Sequence, residues 1–113
     1  MAWIASYVSD FSPPSGVDDV HAALEDGVVL CKLFNAVAGK ADPIQFNEEG
    51  QMVFLKMERI GLFVDAITAY GVQQEYIFRT IDLYEKKNMW AVILGLRAFA
   101  LEAAKQGFGK FAD

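Results

Sequence analysis

Few residues in this chain could carry reaction chemistry, and their spacing argues against it. His21 is the single histidine and Cys31 the single cysteine. A metal centre or a catalytic triad built on several histidines is therefore impossible. Cys31 has no partner for an intramolecular disulfide, and it sits inside an apolar helical pattern, where it reads as a small core residue. His21 falls near the start of a helix and is expected at the surface. The acid pairs Asp18-Asp19, Glu25-Asp26 and Glu48-Glu49 could serve general acid–base work, but solvated charge and helix N-terminal pairing explain them more simply. Gly39-Lys40 resembles the end of a phosphate loop. However, Phe34 stands where the first glycine should be, and Ala41 stands where a magnesium-binding hydroxyl should be. Asp42 to Gly50 lacks the alternating oxygen ligands of a calcium loop. The reading is a non-catalytic chain without a cofactor or metal.

The bulk composition fits one packed domain. The 113 residues are 54 % hydrophobic and include nine phenylalanines, which is enough for a sizeable core and unlike a disordered chain. The longest apolar run, Met89 to Leu96, stops at Arg97, far short of the roughly 20 residues that span a bilayer. No basic region followed by an apolar stretch opens the chain, so no signal peptide is read and a cytosolic location is expected.

The net charge of −5 is uneven. Residues 1–50 carry two lysines against eight acids, whereas residues 51–113 carry eight basic residues against seven acids. The acidic first half disfavours nucleic acid and anionic membranes as partners. It also disfavours non-specific attraction to filaments that are themselves acidic.

Hydrophobic periodicity predicts an all-α fold of four main helices with short connecting helices and no sheet. A short first helix is expected over Trp3 to Val8, followed by a loop over Ser12-Pro13-Pro14-Ser15-Gly16. The second helix is expected from Asp18 to Ala38, with Val20, Leu24, Val28, Cys31 and Val37 near one face. Leu30, Leu33 and Phe34 widen that face. Gly27 in its middle costs about 1 kcal/mol relative to alanine, which predicts a close approach by another element there. Gly39 is a plausible cap. The third helix, Met52 to Tyr70, has the clearest period, through Val53, Met57, Ile60, Val64, Ile67 and Tyr70 with Phe63 beside them; Gly71 ends it. One short turn is expected over Glu75 to Phe78 and a loop over Asp82 to Lys87. Asn88 is expected to cap a last helix that runs to Gln106. That helix is apolar nearly all round, which predicts burial in the middle of a bundle, with Trp90 in the core.

Three segments then stand out in order: Leu24 to Asn35, Glu58 to Ile67, and Ile81 to Met89. With the early Trp3, they resemble a calponin homology domain over nearly the whole chain, Trp3 to Lys105, as one domain with a tail at 107–113. The resemblance implies a bundle of four main helices and a protein-docking role. It implies that Trp3, Asp26, Gly27, Leu30, Leu33, Phe63, Asp82 and Leu83 define the fold, with Leu30 and Leu33 facing a central last helix. The stretch Asp82 to Met89 resembles the single-domain type found in calponin, transgelin and Vav-type proteins. Actin-binding tandem domains carry an aspartate-glycine-asparagine sequence there; this chain has Glu85-Lys86-Lys87-Asn88, without glycine. By that resemblance the contacts fall on the loop and last helix, at Arg79, Lys86, Lys87, Trp90 and Arg97, with the partner being F-actin or an actin-associated or signalling protein. A regulatory adaptor domain, such as that of a Rho guanine nucleotide exchange factor, is the second reading. A monomer is expected. The tail Gly107-Phe108-Gly109-Lys110-Phe111 is a further candidate contact.

Overall fold

The computed structural model describes residues 21–22, 24–38, 43–46, 49–50 and 52–105. The expected first helix with Trp3, the Ser12–Gly16 loop, Asp18 and Asp19, the cap at Gly39 and the tail all lie outside the described residues.

Four α-helices follow in order: α1 (Val28–Ala38), α2 (Val53–Tyr70), α3 (Thr80–Tyr84) and α4 (Met89–Lys105), with a single 3-10 turn at Gln74–Tyr76 between α2 and α3. No strand occurs among the described residues. α1 packs most extensively against α2.

The expected helix from Asp18 to Ala38 is interrupted. His21, Ala22 and Leu24 are helical, Glu25 to Gly27 form a turn, and the helix restarts at Val28. The cause is local. Gly27 has φ +79°, a conformation that side chains with a Cβ disfavour. The Asp26 carboxylate accepts a hydrogen bond from Val28 N–H at 3.0 Å, which caps the new helix start. The apolar period carries on across this break, because Leu24, Leu30, Cys31, Leu33, Phe34 and Val37 are all buried.

α2 spans almost the residues its period predicts. Ile60, Phe63 and Ile67 are buried, and Gly71 N–H closes the helix on the Ile67 and Thr68 carbonyls. Val53 departs from the expectation: it is exposed in the first turn. Residues 82–84 also depart. They belong to α3 rather than to a loop, and only Glu85 to Asn88 connect α3 to α4. A five-residue helix is too short for a periodic signal; its start is held by the Asp82 carboxylate, which accepts from Arg79 N–H at 2.9 Å. Asn88 caps α4 as expected, accepting from Ala91 N–H at 3.2 Å.

The core is aromatic, and Phe99 of α4 is at its centre. Its ring stacks on Phe34 of α1 at 5.8 Å and meets Phe63 and Tyr70 of α2 edge-on at 5.8 and 5.6 Å. Such pairs contribute about 0.5–1.5 kcal/mol each beyond their buried area. Leu30 and Leu33 belong to this same cluster. One side of α4 is therefore central, through Met89, Val92, Leu96, Phe99, Ala100 and Ala103. The other side is not: Trp90, Leu94 and Leu101 are exposed, so α4 is amphipathic rather than buried all round.

Candidate functional site

The turn from α3 to α4 is built by hydrogen bonds that leave its basic side chains outside. Asp82 is buried at 5 % and Leu83 fully, so both root α3 in the bundle. The Asp82 carbonyl accepts from Asn88 N–H at 3.2 Å, closing the turn on itself. The Leu83 carbonyl accepts from Lys86 N–H at 3.1 Å. From the other side, His21 Nε2 lies 3.1 Å from the Tyr84 carbonyl and ties the segment before α1 to the end of α3. His21 is thus part-buried and structural, not the plain surface residue expected from its place in the sequence.

Lys86 holds φ +57°, the one non-glycine residue with positive φ among the described residues. It therefore occupies the left-handed corner that a glycine would take without strain. This is where tandem domains of the resembling family carry glycine. Lys86 and Lys87 are exposed, and Trp90, in the first turn of α4, is 68 % exposed. The expectation that Trp90 is core is overturned: a bulky indole stands in solvent beside two lysines.

The five candidate contact residues do not form one cluster. Lys86, Lys87 and Trp90 share the turn and the start of α4. Arg79 stands at the opposite end of α3, where its guanidinium lies 3.2 Å from the Asp82 carboxylate. Arg97 is two turns further along α4, about 10 Å from Trp90 at the helical rise of 1.5 Å per residue. It lines a groove of about 430 Å³ with Val72, Tyr76, Leu94 and Leu101.

Two interactions that position this end of the molecule carry no plain mark in the sequence. Arg59 lies on the periodic face of α2 and is only 2 % exposed. Its guanidinium donates to the carbonyls of Asp26 at 3.1 Å, Glu49 at 2.6 Å and Gly50 at 2.7 Å. It thereby joins the Gly27 turn, α2 and the segment that precedes α2. Asn35 of α1 makes a reciprocal pair with Ile44, donating to its carbonyl at 3.1 Å and accepting from its N–H at 2.7 Å. Buried carbonyls without such donors would each cost about 1–3 kcal/mol.

Cys31 is fully buried, and its Sγ lies 3.4 Å from the Arg59 carbonyl. Burial pushes its thiol up to about 12, against the opposing influence of the Arg59 charge. It is a packed core residue, as its place in the helical period indicates. Among the described residues, no group of three or more His, Cys, Asp or Glu side chains could hold a metal ion. No described helix is long and apolar enough to cross a membrane.

Comparison with known proteins accords with this geometry. The family model described as "Calponin homology (CH) domain" matches residues 1–105. The chain is 34 % identical to the protein named transgelin of Saccharomyces cerevisiae over 114 residues, covering 96 % of this chain and 55 % of that protein. It is 40 % identical to muscle-specific protein 20 of Drosophila melanogaster over 88 residues, covering 77 % of this chain and 45 % of that protein. The chain therefore spans about half the length of the curated relatives it matches.

Proposed function

Because this chain belongs to the calponin homology domain family, we propose that it is a non-catalytic docking module of the actin cytoskeleton. One observation carries the reading: Lys86, Lys87 and the exposed Trp90 stand together on a turn that Asp82 and His21 hold from beneath. An aromatic side chain flanked by cations is a common form of interface anchor. The surface is small, and the chain as a whole carries −5. Both features support weak binding, strengthened by other segments of a longer protein. The similarity to transgelin and to muscle-specific protein 20 supports the same partner class.

The net acidity favours a second reading, in which the domain contacts a protein other than actin as an adaptor within a signalling protein, such as a Rho exchange factor.

Co-sedimentation with F-actin at about 50 and 150 mM salt separates the two, because screening shortens the reach of the basic turn from about 14 to 8 Å. Pelleting that weakens with salt supports the actin module. No pelleting at either salt favours the adaptor.

A further inference from the structure

The outer face of α4 carries a second feature that the basic turn does not use. Leu94, Arg97, Leu101 and Lys105 recur at intervals of three and four, so they stand in one row along the helix. At 1.5 Å per residue the row is about 17 Å long. Val72 and Tyr76 form the facing wall. Gly95 allows that wall to stand so close: a Cβ there would lie 2.9 Å from the Tyr76 carbonyl oxygen and 2.8 Å from a Phe78 ring carbon. The 3-10 turn therefore presses onto α4 and leaves the groove beside it. Three large side chains along it are open to solvent, Tyr76 at 44 %, Leu94 at 36 % and Leu101 at 49 %.

Two properties of this groove select its occupant. The walls are helical and offer no free strand edge, so an extended segment would leave its own backbone unpaired, whereas a helix satisfies its backbone internally. Rows spaced by three and four are also the ridges into which another helix packs. The second property is charge. In a chain of −5, residues 86–105 carry four cations, Lys86, Lys87, Arg97 and Lys105, against the single acid Glu102. Adding Glu75 on the facing turn still leaves the face positive by two.

We propose that this groove receives an amphipathic helix of a partner protein, its apolar stripe flanked by acidic residues. The site is separate from the Lys86-Lys87 turn, and the proposal does not rest on actin binding.

The test uses two synthetic amphipathic helices of about 16 residues, long enough at 1.5 Å per residue to cover the row. Both carry the same leucine stripe; one is flanked by glutamates and the other by lysines. Binding of each labelled peptide to the whole chain is followed by fluorescence anisotropy. The glutamate helix is expected to bind about tenfold tighter than its lysine twin. Leu101→Glu and Arg97→Glu are each expected to weaken it about tenfold or more, while F-actin pelleting stays as it was. Lys105→Glu, at an exposed position, replaces either variant if circular dichroism shows a loss of helix. Equal binding of the two peptides, no binding of either, or binding that survives Leu101→Glu overturns the proposal. So does a loss of F-actin pelleting in Leu101→Glu, which would make the groove part of a filament contact. A dimer in sedimentation that Leu101→Glu dissociates would assign the groove to a second copy of this chain and overturn it as well.

Discussion

Gly27 and Arg59 meet so closely that no side chain fits between them: a Cβ on Gly27 would lie 2.5 Å from the Cβ of Arg59 and 2.9 Å from the backbone nitrogen of Ile60. Gly27 also holds φ +79°. The turn before α1 and the middle of α2 are thus in backbone contact, and everything α2 supports depends on that approach. Gly27→Ala meets both a strained φ and a backbone clash. The expected loss is about 3 kcal/mol or more, a fall in Tm of well over about 10 °C for a domain of this size. Thermal denaturation followed by circular dichroism measures it; a Tm within a few degrees of wild type would contradict the contact.

Arg59 supplies donors to three carbonyls that no other printed side-chain bond reaches. Arg59→Met keeps much of the apolar stem and removes all of these donors. A loss of about 2–4 kcal/mol is expected, read from urea unfolding. Arg59→Lys should recover only part of it, because an ammonium cannot fork between separated acceptors. Full recovery by lysine would mean that charge alone matters there.

Lys86 permits charge and backbone strain to be separated. Its φ of +57° costs a residue with a Cβ about 1 kcal/mol or somewhat more. Lys86→Gly should therefore raise stability by about that amount while removing one cation from the proposed docking turn. A gain in Tm together with weaker filament binding is the expected pair of results. A loss of stability would place the worth of Lys86 in its side-chain contacts instead.

Cys31 makes a prediction about pH. Its thiol is raised from 9.0 to about 12 in the folded chain by burial, so the folded state holds its proton where the unfolded state has released it. Its contribution is then whole below about pH 9 and is lost as pH rises toward 12, at up to about 1.4 kcal/mol per pH unit. Cys31→Ala should flatten the fall of stability above pH 9, measured by urea unfolding at a series of pH values. An unchanged slope would show that Cys31 ionises as readily in the folded chain as in the unfolded one. For the same reason the native thiol should react with disulfide reagents only through unfolding.

Sequence and structure agree where a local signal carries the element. The period of α2, its end at Gly71 and the cap at Asn88 are legible because each depends on residues within a turn of one another. The close approach at Gly27 is legible too, from the cost of glycine inside an apolar period. The break there is not, because the period of buried residues continues across the turn. α3 is invisible for want of length, with Asp82 and Leu83 read as a loop. Trp90 misleads because size and hydrophobicity favour burial, whereas its place on α4 is opposite Phe99 and Leu96. Arg59 has no mark at all: its acceptors are carbonyls, two of them in a distant segment, and any residue supplies a carbonyl. Of the candidate site, Lys86, Lys87 and Trp90 come together, while Arg79 and Arg97 belong elsewhere. The row through Leu94, Arg97, Leu101 and Lys105 is present in the sequence, but its exposure follows only from which side of α4 faces Phe34 and Phe63.

The central claim is that the α3–α4 turn docks onto the actin cytoskeleton through Lys86, Lys87 and Trp90. The most direct test is F-actin co-sedimentation of the wild-type chain beside Lys87→Glu and Trp90→Ala, both at exposed positions and expected to change stability by no more than about 0.5 kcal/mol. The account predicts salt-sensitive pelleting by wild type and a reduction of about fivefold or more in each variant, with helical content unchanged. Wild-type pelleting that both variants retain in full would contradict it.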